Sequence, residues 1–231
     1  MINLFKTHYS IGKSILTPEE EGDKSVFTIA KKLGLKEVFL LEDSMSGFAE
    51  AYFSAEKTGI PIRYGVTLKH GEDKNNLSNF CAFALNTQGY KDLVKLYSHM
   101  NSKKEGSRWL TSEEIKDLWT DNLWMAIPFY DSFLHKNLLD GKQCIFDLSL
   151  KPTLFIEEND LAFDFMLKPK VERLAESEGL ETLEVQTCLY PDPDYFDAWV
   201  TVKAMHKRGY RQPSLSAPNL DHCASTNFYA K

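Results

Sequence analysis

The 231-residue chain lacks several features that would assign it quickly. No apolar run approaches the ~18 residues of a membrane-spanning helix, and residues 1–9 carry no apolar signal-peptide core. These absences predict a soluble, cytoplasmic protein that uses no membrane. No CxxC pair occurs. The four cysteines, Cys81, Cys144, Cys188 and Cys223, are scattered singly, which excludes a zinc ribbon or a disulfide framework and predicts reduced core thiols. There is no basic excess: the formal net charge is −6, so strong direct nucleic-acid binding by bulk electrostatics is not expected. No repeat, low-complexity tract or long Gly/Ser linker divides the chain.

What is present is ordinary globular composition, 43% hydrophobic and 26% charged, arranged as short apolar runs alternating with helical patterns. Strands are expected at residues 3–9, 37–41, 60–68, 80–86, 122–128, 153–156 and 182–190. Helices are expected at 25–34, 47–59, 90–100, 162–179 and 194–209. In the first helix Val26, Phe27, Ile29, Ala30 and Leu33 share a face, and Gly34 is its stop. Thr111-Ser112-Glu113-Glu114 has the form of a helix cap with acids in the first turn. Pro169 should bend or split its helix. In the last helix Tyr195, Ala198, Trp199, Val202 and Met205 recur at helical spacing, and Trp199 reads as core. Such alternation predicts an α/β chain with a mostly parallel sheet or a closed barrel. Residues 1–210 are expected to form it, with 211–231 as a tail packed on the barrel or on a partner.

Three stretches carry a resemblance. Residues 41–65, LEDSMSGFAEAYFSAEKTGIPIRYG, resemble the pattern TDHxNMxGxxEFxxxAxxxGIxPIxGxE, with Met45, Gly47, Glu50, Ala55, Gly59, Ile60 and Gly65 in place. The Pro61-Ile62 pair comes one residue early. Upstream, Thr7-His8-Tyr9-Ser10 resembles the end of an HxHSxYS strand. Downstream, residues 83–96, FALNTQGYKDLVKL, resemble LLAxNxxGYxNLxKL, and residues 185–190 with 194–204 resemble an NDxHY strand and its helix. The family these patterns belong to is the PHP domain of bacterial-type DNA polymerase III alpha subunits. The resemblance is to a diverged, phage-like, freestanding form of it, or to one piece of a divided polymerase. It implies a distorted seven-stranded (β/α)7 barrel of the PHP type, with metal ligands at the C-terminal ends of the strands.

Carried over position by position, the ligand pattern falls on Leu4, Lys6, Leu41, Glu42, Thr67, Thr187 and Leu189. Leucine has no lone pair to offer, threonine is a poor ligand for a divalent ion, and Lys6 puts a cation where metal should sit. Glu42 alone is a ligand type. The resemblance therefore implies a degenerate metal site, with no cofactor expected and no catalytic residue. The role implied is a structural or interaction module in DNA replication, partnered by a DNA polymerase or exonuclease subunit. One alternative shifts the second motif by one residue. Glu42 and Asp43, with His8 and His70, would then form a residual site for Zn, Mn or Fe in a phosphoesterase or 3′–5′ exonuclease. Another is an adaptor that binds a small anion or foreign protein at the barrel mouth, with Lys6 as the anion's partner.

Other polar groups read as structural. Glu157-Glu158-Asn159-Asp160 follows a strand, where barrel sites lie, but is expected to be a solvated turn or helix start. Asp221-His222-Cys223 has ligand types in adjacent positions that point different ways. Lys203, Lys207, Arg208 and Arg211 read as a solvated helix end.

Overall fold

The computed structural model describes residues 1–104, 106–206 and 225–231. Seven strands are present: β1 (Ile2–Phe5), β2 (Val38–Glu42), β3 (Ile62–His70), β4 (Ser78–Ala84), β5 (Leu123–Ile127), β6 (Thr153–Ile156) and β7 (Thr182–Cys188). They are hydrogen-bonded in chain order and close into a barrel, β7 pairing back with β1. β1 is parallel to β2 and β7, and β6 is parallel to β5 and β7. β4 is antiparallel to both neighbours, in register from Gly65↔Phe83 to His70↔Ser78 on one side and with Cys81↔Ala126 on the other. The fold is thus a mixed α/β barrel distorted by one reversed strand, as the alternation and the resemblance imply.

The parallel strands β2, β5 and β6 are near-continuous apolar runs, as strands covered on both faces must be. The helices are α1 (Val26–Leu33), α2 (Phe48–Thr58), α3 (Thr87–Ser102), α4 (Ser112–Leu118), α5 (Phe133–Leu139), α6 (Asp164–Glu178) and α7 (Phe196–His206). α1, α5 and α6 supply the crossovers that the parallel pairs β1–β2, β5–β6 and β6–β7 require. α2 links β2 to β3, α3 and α4 link antiparallel β4 and β5, and α7 follows β7. Ser25 caps α1 by accepting from the Phe27 and Thr28 amides, and Gly34 ends it at φ +66°. A left-handed residue there closes the helix at little cost only if it has no Cβ. Thr111 and Glu114 form the full capping box of α4.

Three local expectations are corrected. Leu33 is the last residue of α1 and is 43% exposed. Pro169 does not split α6. It stands six residues into the helix, so the carbonyl that loses its bond is that of Phe165, in the first turn. In α7 the buried stripe is Phe196, Trp199 and Lys203, with Met205 exposed. Lys203 can lie inside because its ammonium sits 4.7 Å from the Trp199 ring centre.

The chain divides into two compact units, the first comprising residues 1–63, 157–164 and 185–231, the second 64–156 and 165–184. In the first, Tyr190, Phe196 and Trp199 form an aromatic group with centroids 5.2 to 6.0 Å apart, and Trp199 Nε1 donates to the Lys13 carbonyl at 2.7 Å. The described C-terminal residues lie along β7: the Leu189 amide donates to the Phe228 carbonyl at 2.8 Å, and Phe228 is fully buried. In the second, Phe83, Trp124 and Phe155 pack at 4.9 to 6.3 Å. Cys81, Cys144 and Cys188 are buried and form no disulfide. No described helix is long and apolar enough to cross a membrane.

Candidate functional site

Polar residues of the first unit gather just after β1, at the end of β2, at residues 157–164 and on the last residues of β7. Glu42, the last residue of β2, is completely buried. Its Oε1 accepts from the Thr7 amide at 2.8 Å and the Thr7 hydroxyl at 2.5 Å, and its Oε2 accepts from Ser10 Oγ. Burial raises its pKa, against the pull of these hydrogen bonds and of Lys6. Ser10 Oγ also accepts from the Asp43 amide at 3.0 Å. Asp43 turns to two ammonium groups, Lys6 at 3.0 Å and Lys13 at 2.8 Å. Burial works to raise its pKa, but Lys6 and Lys13 outweigh that and hold it at about 2.

The same device recurs after β6. Glu157 is 4% exposed. Its Oε2 accepts from the Thr187 amide at 3.0 Å and Asn159 Nδ2 at 3.0 Å, and its Oε1 accepts from the Thr187 hydroxyl at 2.9 Å. Burial pushes its pKa up to about 7 in spite of these donors. Gln186 Nε2 extends the network to Asn159 Oδ1 at 2.9 Å and to the Asn227 carbonyl at 2.7 Å. Asp164 accepts from the Asn159 and Leu161 amides. Glu157 is thus a buried, near-neutral-titrating carboxyl where the sequence predicts a solvated turn. The signal for it is positional: the apolar run of β6 delivers Glu157 directly to a strand end, facing Thr187 on β7.

Of the residues singled out by sequence, the structure brings Lys6, Leu41, Glu42 and Asp43 together, the Lys6 ammonium donating to the Leu41 carbonyl at 3.1 Å. Thr187 joins the Glu157 group. Leu4, Leu41 and Leu189 are 2%, 5% and 4% exposed, their side chains apolar packing. His8 is exposed, its ring 4.4 Å from that of Tyr9. Thr67 lies in the second unit, paired with Cys81 across β3 and β4.

His70, also in that unit, is 1% exposed and packs at 4.6 Å on Phe146. Its Nε2 lies 3.1 Å from Ser112 Oγ, which donates to Glu72. Strand alternation puts His70 on the face opposite Thr67. These polar neighbours, Ser112 and Glu72, are not among the other candidates. Asp221, His222, Cys223, Lys207, Arg208 and Arg211 lie outside the described residues.

A metal cluster of the kind the resemblance implies needs several free His or carboxylate donors. Among the described residues no group of three or more His, Cys, Asp or Glu side chains could hold a metal ion. The carboxylates that do stand at strand ends in the first unit are already served: Glu42 and Glu157 by three donors each, Asp43 by two cations. The residues present do not fit such a cluster.

The family model for the PHP domain matches residues 5–137, more than half of the chain. No curated protein is significantly similar to it. Two solved structures are similar at low identity. One is a predicted metal-dependent phosphoesterase from Bifidobacterium adolescentis (13% identity, TM-score 0.41, 80% of this chain and 87% of that one). The other is a two-domain protein from Bacteroides vulgatus containing a predicted PHP-like metal-dependent phosphoesterase (12% identity, TM-score 0.47, 78% and 49%). The seven-stranded barrel and the match of the family model together place this chain in the PHP domain family.

Proposed function

We propose that this chain is a PHP domain without hydrolytic chemistry, acting as a structural and interaction module of a replication complex of the DNA polymerase III alpha type. The observation that carries the first half is the state of Glu42, Asp43 and Glu157. Each is already held by protein donors, three on Glu42, three on Glu157 and two ammonium groups on Asp43, so an ion binding there would have to compete with them. An interface needs shape and not ligands, so a barrel can keep such a role after losing its donors. The polymerase connection rests on the motif resemblance in residues 41–65 and 83–96. Affinity purification of the tagged chain from its native cells, under mild salt, tests it. A polymerase or exonuclease subunit should come down in stoichiometric amount. Recovery of the chain alone from cells that make that polymerase would count against the reading.

A second reading is a metal-dependent phosphoesterase or 3′–5′ exonuclease with a rearranged site. What favours it is Glu157, a carboxyl held near neutral titration at a barrel strand end, as general acids are. Protein purified without chelator separates the two readings. Stoichiometric zinc, manganese or iron, with hydrolysis of single-stranded DNA or p-nitrophenyl phosphate, would establish the enzyme.

A further inference from the structure

Lys6 follows β1 directly, and its side chain is only 12% exposed. An ammonium so far from water needs acceptors. It finds the Leu41 carbonyl at 3.1 Å and Asp43 Oδ1 at 3.0 Å, both at the end of β2. Lys13, half exposed, takes the other Asp43 oxygen at 2.8 Å. Glu42, the residue between, is turned to Thr7 and Ser10, and Ser10 Oγ ties the two acids together through the Asp43 amide. The ends of β1 and β2 are therefore joined through two acids, each matched to its own donors: Glu42 to the Thr7 and Ser10 hydroxyls, and Asp43 to the enclosed Lys6 and the half-exposed Lys13.

We propose that the Lys6 ammonium is the permanent counter-ion of this strand-end centre, occupying the role that a dissociable metal ion would otherwise fill. The inference rests on the non-hydrolytic reading of the site. It differs from an ordinary surface ion pair, which contributes little, because Lys6 is nearly enclosed and bonds a backbone carbonyl as well as the carboxylate. A cation carried on the chain cannot be diluted away. The centre should thus form without metal and resist chelators, whereas a metal-dependent centre loses stability when its ion is removed.

A double-mutant cycle on the full chain tests this, using Lys6→Met, Asp43→Asn and the pair, with thermal midpoints read in the presence and absence of EDTA. Lys6→Met should lower the midpoint by on the order of 5 °C or more, and by clearly less in the Asp43→Asn background. EDTA should leave the wild-type midpoint where it is. If Lys6→Met does not fold but the double variant does, the charge argument stands. Additive effects, no effect of Lys6→Met, or a double variant that also fails to fold would each overturn it. The two readings fail differently. Co-purified zinc, manganese or iron whose removal lowers the wild-type midpoint would sink both. An additive cycle in metal-free protein would sink the counter-ion role alone.

Discussion

Glu42 and Glu157 are held alike, each by the amide and hydroxyl of a threonine and one further side chain, and burial raises the pKa of both; Lys6 pulls against that at Glu42, whereas the Asp164 carboxylate adds to it at Glu157. A carboxyl whose folded pKa is raised binds its proton more tightly in the native state. From the ordinary value of 4.5 up to about 7 the native state therefore holds the proton that the unfolded chain has lost, and stability falls as pH rises through that window. Above it the penalty is constant. At 1.36 kcal/mol per unit the loss is on the order of 3 kcal/mol. His70 works in the opposite sense: burial lowers its pKa, so its contribution is full above 6.5 and is lost as pH falls below that. Glu157→Gln should flatten the decline between pH 4.5 and 7 while leaving the acid-side loss in place. Urea midpoints for wild type and variant across pH 4.5 to 8 measure this. Parallel profiles would show that Glu157 does not carry the slope.

Elements were legible in the sequence wherever a local rule fixes them. The Thr111 capping box, the Gly34 stop and the apolar runs of β2, β5 and β6 all stand where pattern places them. What pattern could not supply was the reason for Gly89. The Gly89-Tyr90 pair is visible as a motif, but its cause lies 33 positions on: a Cβ at Gly89 would sit 2.1 Å from the Asn122 carbonyl oxygen. α3 can approach the start of β5 only through a residue without a side chain. Gly89→Ala should therefore cost about 1–3 kcal/mol, as overpacking does, despite the better helix propensity of alanine. A thermal midpoint equal to or above wild type would refute the close approach. Thr111→Ala should cost about 1 kcal/mol through loss of the α4 cap, read from the same melts.

For the whole molecule, the alternation of strands and helices left a mostly parallel sheet and a closed barrel both open, and it was the motif resemblance that implied the seven-stranded barrel found here. The reversal of β4 was not legible, since apolar patterning is blind to strand direction; residues 71–77 simply leave room for a direct return. The burial of Glu157 was hidden for a similar reason. Its partner Thr187, which donates from both amide and hydroxyl, lies thirty residues away, on β7. Charge, by contrast, is a property of the entire chain, and at −6 it bears on partners. Among the described residues Lys6, Lys13, Lys57, Arg63, Lys95, Lys103, Lys116 and Lys136 are each paired with a carboxylate. A phosphate backbone would have to compete with those acids for these eight, and the net charge of −6 opposes its approach to the rest. Fluorescence anisotropy with a labelled single strand at ~0.15 M salt should give no binding tighter than about 10⁻⁴ M, the weak end of non-specific association. Tighter binding with a steep salt slope would overturn this and make Lys207, Arg208 and Arg211 the first phosphate contacts to test. Their alanine variants should then reduce that slope by roughly one for each phosphate no longer neutralised.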